Sequence, residues 1–192
     1  MVRISSGRLK GRKVVTSRKI FASAEGDELR PTSSKVREAI FNILQAEIAR
    51  ALFLDLYAGT GAVGLEALSR GAERVFFVES NQVRSKAIMG HITKLGLEAR
   101  ASVHQEKAEA FLQKAVRTGM KFDIIFVDPP YLSEEIANVL PSVSECDLLK
   151  DDGCILVEHP SKKVLPEQIH DIKVIKNYKY GDTMITLYRK EQ

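Results

Sequence analysis

The stretch that decides the fold is DLYAGTGAVG, residues 55–64. It begins within a short apolar run at 52–56 and leads into a predicted helix at 63–70 that ends at Gly71. An acid therefore ends a predicted strand, and a glycine-rich turn opens a predicted helix. Glycines let a backbone approach a ligand closely, and a helix N-terminus supplies free N–H groups. The stretch predicts a ligand-binding turn between a strand and a helix.

The alternation of strand and helix continues after this turn. The expected strands are 52–56, 74–79, 99–105, 122–127 and 154–158, and the expected helices are 63–70, 82–95, 108–116 and 134–143. Because helices separate the strands, right-handed crossovers and a parallel sheet covered on both faces are expected. The residues therefore predict an α/β fold.

Both ends of the chain depart from this alternation. Residues 172–180 and 184–189 are extended runs joined at Gly181-Asp182, a pair typical of a hairpin turn. Together with the five earlier strands, they predict a mostly parallel seven-stranded sheet that ends in an antiparallel hairpin. Before the sheet, Thr32, Ser33 and Ser34 are candidate N-caps for an amphipathic helix. Its apolar residues are Val36, Ile40, Ile43, Leu44 and Ile48.

The composition is typical of one globular domain. The chain has 192 residues, of which 44% are hydrophobic and 28% charged. No apolar run reaches the roughly 20 residues needed to cross a bilayer, and no signal-peptide core follows the first residues, so a cytoplasmic protein without membrane contact is expected. Cys146 and Cys154 have no His or Cys at zinc-ligand spacing, so both are expected to be reduced packing residues, and no metal is expected.

Positive charge is concentrated at the start of the chain. The net charge is +4, but residues 1–24 contain seven Lys and Arg and no acid, so the remaining residues carry −3. Such a segment is suited to bind phosphates, because each neutralised phosphate releases counterions. A solvated, poorly ordered arm is the alternative. We divide the chain into a basic extension with a linker, residues 1–29, and a domain, residues 30–192.

Three glycines and two acids indicate a nucleoside cofactor. Gly59, Gly61 and Gly64 satisfy the pattern G-x-G-x-x-G, and Glu79 ends the second strand twenty residues after Gly59. A carboxylate at that position holds ribose hydroxyls in several cofactor classes. The pyrophosphate of a dinucleotide would be repelled by Asp55, whereas the sulfonium and α-amino groups of S-adenosylmethionine would be attracted to it. The residues therefore favour S-adenosylmethionine.

The second constellation is Asp128-Pro129-Pro130-Tyr131, where the fourth strand ends. Ligands of open α/β sheets lie at the carboxyl ends of strands, so this tetrapeptide and the glycine turn should face one crevice. Hydrogen bonds to the Asp128 carboxylate and the Pro129 carbonyl would position the exocyclic amine of a base, which is a poor nucleophile. The prolines stiffen that carbonyl, and Tyr131 is suited to stack on a flipped base. A Pro-Pro turn with an exposed tyrosine is the simpler interpretation of the tetrapeptide alone; beside the glycine turn, the four residues are predicted to be catalytic.

Three blocks of the sequence resemble the small-subunit ribosomal RNA guanine-N2 methyltransferases of bacteria, the RsmD type. The blocks are RISSGRLKGRK at 3–13, RPT at 30–32 leading to VREAIFN at 36–42, and residues 55–72. The tetrapeptide is shared with many amino-methyltransferases. The resemblance covers essentially the whole chain. It implies a class I, Rossmann-like, S-adenosylmethionine-dependent methyltransferase fold, an RNA-contacting N-terminal extension, and a methyl donor bound at Asp55, Gly59, Gly61 and Glu79.

Two further groups of site residues are expected. Cofactor binding is expected at Asp55, Tyr57, Ala58, Gly59, Gly61, Gly64, Glu79, Ser80, Lys107 and Ala108. RNA binding is expected at Arg8, Lys10, Arg12, Lys13 and Arg30, and the resemblance implies that the RPT block lies near the donor or the RNA. Lys107 is a departure, since methyltransferases often have Asp or Asn at this position to accept a hydrogen bond from the adenine amino group. A lysine cannot accept that hydrogen bond. A backbone group or Glu106 is the alternative acceptor.

The expected reaction is direct methyl transfer from S-adenosylmethionine to the exocyclic N2 of a guanine. The expected partner is ribosomal RNA or the small ribosomal subunit, and the enzyme is expected to be a monomer. Adenine in DNA or RNA and a protein glutamine are alternative acceptors, since each offers a planar amino nitrogen. A nicotinamide-dependent oxidoreductase would use the glycine pattern but would leave the tetrapeptide and the basic extension unexplained. A non-catalytic RNA-binding module is the third alternative.

Overall fold

The computed structural model describes residues 2–15, 32–130, 135–145 and 147–191. Arg30, Tyr131 and Cys146 lie outside the described residues. In chain order the elements are β1 (Val2–Arg3), β2 (Lys13–Val15), α1 (Ser34–Ile43), β3 (Leu52–Asp55), α2 (Ala62–Ser69), β4 (Arg74–Val78), α3 (Gln82–Leu95), β5 (Ala101–His104), α4 (Ala108–Arg117), β6 (Phe122–Val127), α5 (Glu135–Glu145), β7 (Leu149–Pro160), β8 (Gln168–Ile169), β9 (Ile172–Tyr180) and β10 (Thr183–Lys190). In the part of the chain covered by these ranges, no helix is long and apolar enough to cross a membrane.

The large sheet has the order β5-β4-β3-β6-β7-β10-β9-β8. The first five strands in this order are parallel, and β10 is antiparallel to both β7 and β9. The predicted α/β fold with a mostly parallel sheet and a final antiparallel hairpin is therefore confirmed. The structure has one strand more than the seven predicted for this sheet. The additional strand, β8, has only two residues, which is too short for a recognisable sequence pattern.

Several element boundaries differ from those expected. Strand β7 begins at Leu149 rather than at 154, since Asp151 and Asp152 are exposed and interrupt the apolar run that predicts a strand. Helix α5 continues through Pro141 to Glu145. Helix α1 begins after the Ser33 N-cap, whose side chain accepts from the Val36 N–H, but it ends at Ile43.

Two apolar clusters cover the two faces of the sheet. The first joins α1, α2 and α3 to strand residues such as Phe53, Phe77 and Phe126. The second joins α4 and α5 to the alternating strand residues, including Leu54 and Ile125. Because successive side chains of a strand point to opposite faces, β3, β4, β6 and β7 contribute to both clusters, whereas β5 contributes to the first. The result is three layers, with the sheet between two layers of helices.

Residues 2–15 are folded onto α2 rather than forming a loose arm. Strands β1 and β2 pair antiparallel, and Ile4 and Val14 are buried in the first apolar cluster. Between the strands, the Arg8 N–H donates to the Ser69 carbonyl at 2.9 Å, and the Leu9 N–H donates to the Ser69 hydroxyl at 2.9 Å. We call residues 2–15 the N-terminal hairpin.

Glu66 of α2 holds this hairpin through a buried carboxylate. The carboxylate accepts the Ser5 N–H at 2.7 Å, the Ser5 hydroxyl at 2.8 Å and the Ser6 N–H at 2.9 Å. Arg70 donates to it from Nε at 2.9 Å, and Nε of Arg37, in α1, lies 3.6 Å away. One buried charge therefore connects the hairpin, α1 and α2.

Gly64 tests the close contact between α2 and β4. A Cβ at Gly64 would lie 2.2 Å from Cε1 of Phe77. Gly90 in α3 is a matched control, because a Cβ there would meet nothing within 4 Å. We expect Gly64→Ala to lower the free energy of unfolding by roughly 1 to 3 kcal/mol through overpacking. Gly90→Ala should raise it by about 0.5 to 1 kcal/mol through helix propensity. Urea unfolding measures both, and equal effects would contradict the contact.

Candidate active site

The carboxyl ends of neighbouring parallel strands bring three acids to one edge of the sheet. Asp55 ends β3, Glu79 follows β4, and Asp128 follows β6. Strand β3 lies between β4 and β6, with Asp55 in register with Phe77 on one side and Phe126 on the other. The structure thus places the glycine turn and the tetrapeptide beside each other at the edge where ligands of such sheets bind.

The glycine turn is fixed by backbone contacts. The Ala58 N–H donates to the Val78 carbonyl at 2.9 Å, which attaches the turn to the end of β4. Gly59 and Gly61 have φ values of 53° and 74°, a left-handed conformation that favours glycine. Helix α2 starts immediately after Gly61. The sequence pattern therefore reflects a backbone requirement at Gly59 and Gly61.

Asp55 and Glu79 bind the turn through their carboxylates. Oδ2 of Asp55, whose side chain is buried, accepts the Gly64 N–H in the first turn of α2 at 3.0 Å. Oε2 of Glu79 accepts the Gly59 N–H at 2.8 Å, and its Oε1 accepts the Asn81 N–H at 2.8 Å. A negative side chain thus already occupies the helix N-terminus where a dinucleotide site would hold its pyrophosphate.

The clustering of acids changes their ionisation. Burial is the main cause that raises the pKa of Asp55 to about 7, and the charges of Asp128 and Glu79 raise it further against the hydrogen bond from Gly64. Burial also raises the pKa of Asp128 well above its usual range, opposed by a hydrogen bond from Thr32. A bound cation would stabilise the ionised forms of both acids. The edge is therefore electrostatically suited to a positively charged ligand.

Thr32 is a site residue that the sequence arguments did not identify individually. Its hydroxyl donates to Oδ2 of Asp128 at 3.1 Å, although the two residues are 96 positions apart. The available signal was the RPT block, which the resemblance placed near the donor or the RNA. The structure shows a contact of this block with the tetrapeptide, while Arg30 lies outside the described residues.

The tetrapeptide leaves the sheet directly after β6. Asp128 is half-buried, Pro129 is buried and Pro130 is exposed. Tyr131 lies outside the described residues, so its stacking role stays a prediction. The acid of the tetrapeptide lies close enough to Asp55 for its charge to raise the pKa of Asp55.

Tyr57 belongs to the turn, but its side chain packs on the other face of the sheet. It contacts the second apolar cluster, on the side of α4 and α5. Burial and the nearby carboxylate of Glu135 raise the pKa of its hydroxyl. Gly61 instead faces Ile88 of the first cluster. A role of Tyr57 in cofactor binding stays a prediction.

The remaining predicted cofactor residues follow β4 and β5 at the same edge. Ser80 is exposed directly after Glu79. Lys107 is the exposed N-cap residue of α4 and makes no side-chain cap, while Ala108 is buried. Glu106 lies 3.7 Å from Nδ1 of His104 and also pairs with Lys114 at 3.5 Å. The adenine contact at these positions stays a prediction.

The described residues contain no group of three His, Cys, Asp or Glu side chains that could hold a metal ion. Cys154 is buried in the first apolar cluster and forms no disulfide with another described residue. The acids of the site are instead held by backbone N–H groups and by the Thr32 hydroxyl.

The fold and the arrangement of acids around a glycine turn define the class, which is the class I S-adenosylmethionine-dependent methyltransferase fold. The family model described as "Conserved hypothetical protein 95" matches residues 2–189, and the chain belongs to this family. Together with the relatives named next, this match confirms the resemblance to the RsmD type.

Named relatives cover nearly the whole chain. "Putative rRNA methyltransferase YlbH" of Bacillus subtilis (strain 168) is 34% identical over 189 residues, which are 98% of this chain and 99% of the relative. "Ribosomal RNA small subunit methyltransferase D" of Escherichia coli (strain K12) is 33% identical over 193 residues, covering 99% of this chain and 90% of the relative. The solved structure titled "Putative methyltransferase yhhF from Escherichia coli" has a TM-score of 0.84 and 31% identity, and the match covers 99% of this chain and 98% of that one.

Asp55→Asn tests the electrostatic cost of the site. Because its pKa is raised, folded Asp55 holds a proton that unfolded Asp55 has lost between about pH 4 and pH 7, so wild-type stability is reduced as pH rises through this window. An amide still accepts from the Gly64 N–H but carries no charge. We expect the stability advantage of D55N over wild type to grow by roughly 1 to 3 kcal/mol between pH 4.5 and pH 8.

The measurement is urea unfolding of both proteins at the two pH values. The difference between the proteins cancels the contribution of buried His159, whose pKa is lowered and which therefore acts in the opposite direction. A difference that does not change with pH would contradict the raised pKa of Asp55.

Proposed function

We propose that this chain transfers a methyl group from S-adenosylmethionine to the exocyclic N2 amine of a guanine in small-subunit ribosomal RNA. The observation that carries the proposal is the carboxylate of Asp128, held by Thr32 beside Asp55 and the glycine turn. Family membership and the names of the relatives support ribosomal RNA as the substrate. Guanine N2 as the acceptor rests on the resemblance and on the chemistry of the tetrapeptide.

The acids at the strand ends fit S-adenosylmethionine better than a dinucleotide. When bound, S-adenosylmethionine supplies an electrophilic methyl group on a sulfonium sulfur. Asp55 would attract its positive groups, whereas it would repel a pyrophosphate at the start of α2. Glu79 binds the backbone of Gly59 and Asn81 through its two carboxylate oxygens, and a carboxylate at the end of the second strand is the group that holds ribose hydroxyls in several cofactor classes.

Asp128 provides the chemistry on the acceptor side. Its carboxylate accepts a hydrogen bond from the amine, which orients the nitrogen and favours positive charge on it. Because Thr32 binds Oδ2, Oδ1 is left for the amine. The N–C bond forms as the S–C bond breaks and leaves its electron pair on sulfur, and the nitrogen then loses a proton. The raised pKa of Asp128 suits its carboxylate to receive that proton near neutral pH.

The N-terminal hairpin is suited to bind the phosphates of the RNA. It contains no acid, and its position on α2 connects it rigidly to the helix that follows the glycine turn. Its exposed basic residues are Arg3, Arg8, Lys10, Arg12 and Lys13. Arg30 remains part of this proposal through the resemblance alone. Together these residues would bind RNA in a salt-dependent way.

Asp128→Asn tests the catalytic role. The amide keeps the size of the side chain but cannot take the proton of the amine, so we expect kcat to fall by roughly 10²- to 10⁴-fold. Donor affinity should remain, because Asp55 and Glu79 are unchanged. The control is Asp151→Asn, which removes an almost fully exposed acid from β7. Labelled methyl transfer gives the rate and calorimetry gives the donor Kd; unchanged turnover of D128N would exclude the mechanism.

The acceptor is tested by labelled methyl transfer onto small ribosomal subunits, naked RNA, DNA and protein from cells that lack this protein. Nucleoside mass spectrometry should find N2-methylguanosine in small-subunit RNA. If the label is found in methylated adenine, in DNA or in a glutamine, that group is the acceptor and guanine N2 is excluded. RNA binding without any incorporation would favour a non-catalytic module, and NAD binding in place of S-adenosylmethionine would favour an oxidoreductase.

A further inference from the structure

An open cleft of about 800 Å³ lies at the end of α2 that is farthest from the glycine turn. Its described lining combines three arginines, Arg8, Arg70 and Arg100, with uncharged residues only. Arg70 is compensated by the buried Glu66, whereas Arg8 and Arg100 form no ion pair with another described residue, so an anion bound between these two would be attracted to both. The cleft is therefore a candidate anion site separate from the methyl-transfer edge.

Arg8 is held at the cleft by the backbone of the N-terminal hairpin. Gly7 has a φ of +78°, and a Cβ there would lie 2.1 Å from the Ser69 carbonyl oxygen. The hairpin backbone thus contacts the last turn of α2 more closely than any other residue type would allow. The next N–H, that of Arg8, donates to the same carbonyl at 2.9 Å. The backbone at Gly7 and Arg8 is therefore fixed against α2, which sets the position of the Arg8 side chain.

The other two arginines are fixed by different partners. Nε of Arg70 pairs with Glu66, and its guanidinium lies 4.8 Å from the centre of the Phe41 ring. Arg100 donates to the Leu68 carbonyl in the last turn of α2 and to the carbonyls of Ala72 and Glu73 in the turn that follows. A guanidinium has five N–H donors, so both side chains retain donors beyond these contacts.

We propose that the cleft binds a backbone phosphate of the RNA substrate, through Arg8 and Arg100 with Arg70 adding positive charge. Arginine binds phosphate oxygens with short, charge-assisted hydrogen bonds. A polymer fits better than a small anion, because the same hairpin continues the positive surface with exposed Lys10, Arg12 and Lys13. The inference rests on the proposed function only in taking RNA as the substrate.

The cleft and the glycine turn lie at opposite ends of α2. Helix α2 has eight residues and is about 12 Å long, with the glycine turn before its first residue and the cleft at its last turn. A phosphate in the cleft is therefore separated from the donor edge by the length of α2. The RNA must extend along this helix to reach both places.

Arg8→Ala is the principal test, since this side chain is exposed and its backbone contacts remain. Small-subunit RNA is titrated with the full chain at several salt concentrations. We expect Kd to rise roughly tenfold, as for the loss of one charge-assisted hydrogen bond. The slope of log K against log salt should decrease by about 0.7 to 0.9. Arg117→Ala is the matched control, because it removes an equal exposed charge from α4 on the opposite face.

Arg100→Gln and the double variant distinguish one phosphate site from scattered charge. If Arg8 and Arg100 hold the same phosphate, their effects on Kd are coupled, and the double variant is weakened less than the product of the two single effects. Thermal unfolding checks that R100Q still folds, since Arg100 also donates to the Leu68 carbonyl in the last turn of α2. If it does not fold, Arg100→Lys, which keeps the charge but loses the paired donors of the guanidinium, replaces R100Q in the same double-variant comparison.

Equal salt slopes for R8A, R117A and wild type would contradict the proposed phosphate site. Independent effects of the Arg8 and Arg100 substitutions on Kd would contradict it as well. Either result leaves the proposed function intact if the wild type methylates small-subunit RNA. Conversely, a wild type that binds RNA through Arg8 but transfers no methyl group would preserve the cleft and exclude the reaction.

Discussion

The buried carboxylate of Glu66 fixes the parts of the molecule on which the site depends. An unpaired carboxylate in the interior costs several kcal/mol, and here it is compensated by Ser5 and Ser6 of the hairpin and by Arg37 and Arg70. These contacts join the hairpin and α1 to α2, the helix that begins at the glycine turn. Thr32, just before α1, donates its hydroxyl hydrogen bond to Asp128. A buried charge outside the site therefore helps to place Thr32, and through it Asp128.

The site itself is held in an electrostatically unfavourable state. Asp55, Glu79 and Asp128 lie close enough that the ionisation of Asp55 is opposed by the other two. Backbone N–H groups and one hydroxyl stabilise them only in part, since burial still dominates the raised pKa of Asp55 and Asp128. A cationic methyl donor would relieve this repulsion, so the same arrangement that weakens the free protein would strengthen the bound one. Donor binding would therefore add to the stability of the protein through these carboxylates.

Local patterns predicted most of the sheet and its site. The bounds of Gln82–Leu95 and Phe122–Val127 agree with the structure, because apolar periodicity and flanking glycines are local signals. The acids at strand ends were found for the same reason. The contacts of Glu66 and Thr32 were missed, since their partners are 61 and 96 positions away and no local pattern relates residues so far apart. An acid four residues before Arg70 also resembles an ordinary surface ion pair of a helix.

Strand β10 lies inside the sheet, between β7 and β9, although it follows both of them in the chain. In the described sheet β9 pairs with β10 and with β8, so these two strands reach the rest of the sheet only through β10. During synthesis, β7 therefore keeps an unpaired edge of N–H and C=O groups until residues 183–190 have left the ribosome. The parallel strands are able to assemble earlier, and the final hairpin closes the sheet in one late step. A nascent chain stalled before residue 183 would present that edge of β7 to other chains, so aggregation during translation is a cost built into this topology.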